Sequence, residues 1–179
     1  MSNSKSTWVL DPTHSELTFR VKHLMISNVK GEFRKFDAKV ECADNDFSNA
    51  KVFVTIDADS IDTNNSDRDT HLRSDDFFGV DQHQNITFES TEFNKLDDDN
   101  YQLKGLLGIK GIKKTVTLDV DYGGVIKDPY GNEKTGFSVS GKINRKEWNL
   151  NWNTALEAGG VMVSEDVRLN AEVQFVRES

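Results

Sequence analysis

Side-chain polarity alternates with a period of two along almost the whole chain, and this pattern constrains the fold more than any other feature. Leu17, Phe19 and Val21 alternate with Glu16, Thr18, Arg20 and Lys22. Val52, Val54 and Ile56 alternate with Lys51, Phe53, Thr55 and Asp57. Ile86 and Phe88 continue the pattern, then Tyr101, Leu103, Gly105 and Leu107. Val116, Leu118, Val120 and Tyr122 follow, then Phe137, Val139, Gly141 and Ile143. Val167, Leu169, Ala171, Val173 and Phe175 form the last set. A run from Val29 to Val40 is interrupted near Arg34 and Lys35 and reads as one bent strand or two. The chain therefore reads as about eight strands, each with one apolar face.

Turn residues separate these runs. Asp97-Asp98-Asp99-Asn100 suits a hairpin loop, and Gly123-Gly124 with Asp128-Pro129-Tyr130-Gly131-Asn132 marks the next connection. Gly31, Gly105 and Gly141 lie inside strand patterns, which predicts bends or bulges there. The one helix candidate is Asn65 to Ser74, with polar capping residues at its start and Asp67 and Asp69 in its first turn. Antiparallel strands with one apolar face must cover that face, and with so little helix they close into a barrel or divide into a sandwich. An eight-stranded barrel either fills with side chains or holds one small ligand.

The chain carries a net charge of −8, which argues against nucleic-acid binding, because phosphate contacts need a basic footprint. Eleven Phe and three Trp mark it as globular. A single cysteine, Cys42, excludes a disulfide framework and a multi-cysteine zinc site. The aspartate run lacks the glycine and glutamate spacing of an EF-hand loop. No stretch approaches the ~18 apolar residues of a membrane-spanning helix, and the opening residues contain no apolar stretch of signal-peptide length. The expectation is a soluble, cytoplasmic protein.

The opening Trp8-Val9-Leu10-Asp11-Pro12-Thr13-His14-Ser15, with Phe19, Val21 and His23, resembles the start of the YceI family. Ordered matches continue in Val29-Lys30-Gly31-Glu32-Phe33 with Phe36, and in Ser60-Ile61-Asp62-Thr63. Arg68-Asp69, His71-Leu72 and Ser74-Asp75-Asp76-Phe77-Phe78 follow, then Ile86 to Thr91, Gly105 to Gly111, Ile143-Asn144-Arg145 and Ser164 to Val167. The resemblance implies one domain over residues 8–177 after a tail of residues 1–7. It implies an all-β fold, a closed antiparallel lipocalin-like β-barrel of about eight strands with one short crossover helix. It also implies binding of polyisoprenoids, isoprenoid quinones or fatty-acid-like amphiphiles in an internal tunnel, and a homodimer. Where relatives read Arg-x-x-Phe-Gly, this chain has Arg145-Lys146-Glu147-Trp148-Asn149, and a bulkier Trp148 would narrow the tunnel.

Candidate tunnel residues are Phe19, Val21, Phe33, Phe36, Phe77, Phe78, Phe88, Leu107 and Trp148, set against a filled core. Candidate head-group contacts are His14, His71 and Arg145, with Arg145 also read as a structural ion-pair partner of Asp11 or Asp166. No catalytic residue, metal or cofactor is expected. Two competing readings remain open. One is a hydrolase or metal-dependent enzyme built on His14 and His71, with His23 and His83 as further ligands. The other is a packed barrel acting as a partner-binding module. Lys110, Lys113 and Lys114, like Asp67, Arg68 and Asp69, read as solvated surface.

Overall fold

The computed structural model describes residues 5–23, 27–44, 46–150, 155–156, 160–161 and 164–178. Its strands are β1 Lys5–Leu10, β2 Glu16–His23, β3 Ser27–Phe33, β4 Phe36–Ala43, β5 Asp46–Asp57 and β6 Ile61–Asp62. They continue with β7 Asn85–Lys95, β8 Asn100–Ile109, β9 Ile112–Lys127, β10 Glu133–Asn144, β11 Ala155–Leu156, β12 Gly160–Val161 and β13 Asp166–Arg177. The α-helix α1 spans Ser66–Arg73, inside the expected crossover. β1 starts at Lys5, so residues 5–7 belong to the sheet and not to the tail expected before Trp8. Ser6 explains this: it is buried, and its hydroxyl lies 3.2 Å from the Cys42 thiol.

Neighbouring strands run in the order β1-β4-β5-β7-β8-β9-β10-β13, and β13 returns to β1, so the ladder closes as an eight-stranded antiparallel barrel. Three of its strands are kinked. β1 and β2 both lie along β13, with Leu10 opposite Phe175 and Glu16 opposite Glu172. Between them Pro12–His14 form a 3-10 turn in which the Asp11 carboxylate accepts the Thr13 N–H. Pro12 stands where a missing N–H costs nothing. β4 pairs with β1 while β3 pairs with β2, so the Val29–Val40 run is one course broken at Arg34-Lys35. β5 pairs with β4 and β6 with β3, with a break at Ala58–Ser60. Arg34 N–H donates to Ser60 O and Asp57 N–H to Lys35 O, which holds the last two breaks side by side.

Below the breaks the barrel is closed and full. Phe47 packs against Trp8, Tyr122 and Phe137 at ring distances of 5.3–5.4 Å, and Phe93 stacks on Tyr101 at 4.9 Å. Trp8 and Phe47 are almost fully buried, and such pairs add to plain area burial. Burial also pushes the Tyr101 and Tyr122 phenols above their ordinary range. Above the breaks β6 is two residues long, and no described strand joins it to β7. The segment from Thr63 to Gln84, including α1, spans that seam instead.

The structure corrects the bulges expected at Gly31 and Gly141, which stay in register, while the β7–β8 register shift does fall beside Gly105, the partner of Ser90. All three glycines leave space for a side chain of the neighbouring strand. A Cβ on Gly31 would lie 2.3 Å from the Phe19 ring, one on Gly141 2.3 Å from Leu118, and one on Gly105 2.5 Å from the Phe88 ring. The register shifts fall between Glu41 and Ala43, Ser90 and Glu92, and Thr135 and Phe137. Gly123-Gly124, expected in a turn, lie inside β9 opposite the third shift, with Gly124 at φ +86°.

Two outcomes follow. Gly105→Ala places its methyl 2.5 Å from the Glu89 carbonyl oxygen, a backbone atom that cannot step aside. It is expected to destabilise the fold by about 1–3 kcal/mol in urea titration. Gly136→Ala, whose nearest neighbour would be 3.6 Å away, changes little. Cys42 is buried, and burial raises its thiol pKa, so it should resist an aromatic disulfide reagent in native buffer and react at once in denaturant.

Candidate ligand-binding site

The crossover is held tightly. The Asn65 side chain caps α1 by accepting the Arg68 N–H at 3.0 Å. Asp69 is buried and accepts both the Thr63 N–H and the Thr63 hydroxyl, so it is not the solvated residue expected from sequence. Arg68 folds back to donate from Nε to Thr63 Oγ1 at 2.7 Å and from Nη2 to Thr63 O at 2.6 Å. Arg73 anchors the other end, donating to Asp59 O and Ile61 O at 3.0 Å each. Phe78 N–H donates to Leu72 O, which turns the Phe77-Phe78 pair back under the helix.

Beneath this cover lies a cavity of about 540 Å³. Phe19 and Val21 of β2 wall it, with Val29 and Phe33 of β3, and Phe77, Phe78 and Leu72 close it from the crossover side. Phe19, Phe33 and Phe78 form a connected aromatic wall, at ring distances of 5.6 and 6.0 Å. A second cavity of about 150 Å³ continues toward the aromatic plug, bordered by Phe36, Phe88 and Phe93. Leu17, Ile56, Leu107 and Leu169 line both. The alternation seen in the sequence produces these walls, because inward residues of successive strands meet in layers.

Eight of the nine apolar candidates therefore border a cavity, and Trp148 does not. It is fully buried with Nε1 donating to Leu107 O at 2.8 Å, so it buttresses a wall residue and does not narrow the space. His71 borders the larger cavity, its Nε2 3.0 Å from Asp76 and its ring 5.4 Å from Phe77. His14 stands apart: it is exposed, paired with Asp11 at 2.8 Å, and lines neither cavity. Hydrogen bonds to the His14 and Thr13 side chains hold the Asp11 carboxyl below its ordinary value.

Arg145 borders the larger cavity but is 3% exposed. Its guanidinium donates to Ser164 O at 2.9 Å and to Leu150 O, partners the sequence reading did not foresee. Asp11 and Asp166, the acids expected for it, pair with His14 and Lys142. Burial lowers the Arg145 pKa, with Glu165 opposing. Among the described residues, no group of three His, Cys, Asp or Glu side chains is placed to hold a metal ion. The His23 side chain lies outside the described ones.

Thr63, Asn65, Asp67 and Arg68 also border the cavity. The sequence reading missed them as site residues because a polar run beside a helix cap looks the same whether it faces water or a pocket. All four, with His71, sit on one side of the space, which makes the cavity apolar within and polar at one rim.

Fold and site together define an eight-stranded lipocalin-like barrel with an internal apolar cavity. The YceI-like domain description matches residues 8–175, and the chain belongs to the YceI-like family. A UPF0312 protein of Staphylococcus epidermidis is 45% identical over 166 residues, covering 92% of this chain and 94% of the relative. The crystal structure of a Campylobacter jejuni YCEI protein superposes with a TM-score of 0.74 at 38% identity, covering 88% of this chain and 90% of that one. A polyisoprenoid binding domain from Saccharophagus degradans shares the fold at 15% identity, with a TM-score of 0.65 over 94% of this chain and 97% of that domain.

The Trp148 anchor is testable through stability. Trp148→Phe removes the donor to Leu107 O and leaves a buried carbonyl unpaired, which should cost about 1–3 kcal/mol in denaturant titration. Ligand uptake is expected to persist in the folded fraction.

Proposed function

We propose that this protein binds a long-chain amphiphilic lipid, of the polyisoprenoid, isoprenoid quinone or fatty-acid-like kind, as a carrier or buffer. The observation that carries this reading is the pair of adjoining apolar cavities, the larger about 540 Å³, within the ~300–1,000 Å³ range of small-molecule sites. Joined through their four shared wall residues, they would form one tunnel from the crossover toward the aromatic plug. The binding named for the Saccharophagus degradans domain of the same fold supports the choice of ligand class.

Each buried methylene contributes roughly 0.8 kcal/mol, so a tail of ten or more carbons offsets association costs of ~4–15 kcal/mol. The walls need only be apolar and complementary in shape; selectivity falls to the polar rim. On this reading no bond is made or broken; His71 at the rim serves structure or head-group contact, and His14 serves structure. His14 and His71, each paired with its own aspartate and not sharing a cavity, do not favour an enzyme. The same reading keeps the expectations of a cytoplasmic location and a homodimer.

Native mass spectrometry of freshly purified protein, followed by organic extraction, is the test. A mass increment of one long-chain amphiphile per barrel, lost on extraction, is the expected result. Protein that carries no extractable lipid, and takes none up when offered several chain lengths, would sink the proposal.

A further inference from the structure

The larger cavity touches the outside through a wall one residue thick. A polar groove on the outer surface is lined by Asn28 to Glu32 of β3, Arg34, Asp62 to Asn64, and Arg68. Val29, Thr63 and Arg68 border both this groove and the cavity. Among the described residues, β3 is paired on one side only over Asn28–Gly31, which leaves room for the groove. β2 covers its inner edge, while β6 reaches it only at Glu32 and Phe33. At the seam between β3 and α1, Val29, Thr63 and Arg68 alone are shared by the apolar interior and the polar exterior.

Charge in the groove is not balanced. Arg34 sits between both acids, 2.5 Å from Asp62 and 3.5 Å from Glu32, and accounts for them. Lys30 is exposed and has no acidic partner among the described residues. Arg68 spends two donors on the uncharged oxygens of Thr63, leaving the rest of its five N–H groups free to bind. Asp67 lies on the cavity rim and not in the groove. Two cations thus stand at the thin wall of an apolar cavity in a chain of net charge −8. Among the described residues the other arginine lining that cavity, Arg145, already serves backbone carbonyls.

We infer that the ligand is an acidic amphiphile, its anionic head held in the outer groove by Lys30 and Arg68 and its tail entering between Val29 and Thr63. The head chemistry is an oxyanion, a carboxylate or a phosphate monoester, and it selects against neutral heads on the same tail. This rests on the cavity being a lipid site, as proposed above, and specifies which lipids it prefers.

Delipidated protein is titrated with palmitate, hexadecyl phosphate and hexadecanol, which share one tail and differ in the head. Palmitate or hexadecyl phosphate should bind about tenfold or more tightly than hexadecanol, as charge-assisted hydrogen bonds would give. The tighter of the two anions identifies the head. The preference should weaken as salt rises. Lys30→Gln, on an exposed strand edge, should move anion affinity toward that of the alcohol and leave hexadecanol affinity unchanged, while Arg68→Gln should lower anion affinity more than it lowers hexadecanol affinity. Equal binding of palmitate, hexadecyl phosphate and hexadecanol overturns the head-group assignment while leaving the lipid site standing. So does an anion preference that survives the double substitution in protein with native circular dichroism. Folded protein that binds none of the three removes the lipid site and this inference together.

Discussion

Three strands of this barrel change course at the same level, and the cavity depends on that shared kink. Backbone groups released at one break must find partners at the next, and they do: Arg34 N–H reaches Ser60 O, and Asp57 N–H reaches Lys35 O. Buried backbone donors cannot be left without acceptors, so a break in one strand forces a matching break in its neighbour. Below the kinks the ladder closes through β1 on β13. Above them β2, β3 and β6 continue the sheet but do not reach β7, and the seam is handed to α1.

The two levels then receive different side chains. Seven aromatic rings, from Trp8 and Phe47 to Phe175, meet at the closed end and exclude any guest there. Leucine, isoleucine and valine with a few outward-tilted phenylalanines line the open level and leave it hollow. Gly31 and Gly105 contribute directly, because Phe19 and Phe88 lie across them, close to the sheet. An Ala at either position would push a ring into the space the cavity occupies. Among the described residues no buried side-chain polar atom lacks a partner, and most polar residues of the larger cavity's wall lie between Thr63 and His71, with Thr18 and Arg145 the others.

The strand count, the aspartate turn before β8, the helix with Asn65 as its cap and most of the apolar walls were legible in the sequence. Each of these depends on local chemistry: alternation, turn propensity and capping act between residues a few positions apart. The errors have a common origin as well. Gly31 and Gly141 look like bend points until the side chains across from them, Phe19 and Leu118, are known. Gly123-Gly124 look like a turn until the bulge within β9 is seen. Trp148 looks like a tunnel residue until its bond to Leu107, 41 positions away, is found. Asp67, Arg68 and Asp69 look like one solvated run, yet Asp69 is buried, while Arg68 lies between cavity and groove.

The sequence by itself determined antiparallel strands with one apolar face, because a period of two allows no other use of those residues; closure into a barrel and not a sandwich came from the pairing of β1 with β13. The sequence also determined a surface unsuited to nucleic acid, because charge is additive and independent of fold. Only the tertiary structure decided that one end is plugged and the other hollow, since ring-to-ring packing joins residues as distant in sequence as Phe47 and Phe137. It alone decided where the cavity meets water. That depends on β6 ending after two residues, which leaves one edge of β3 without a described partner strand and brings Lys30 and Arg68 to the same groove.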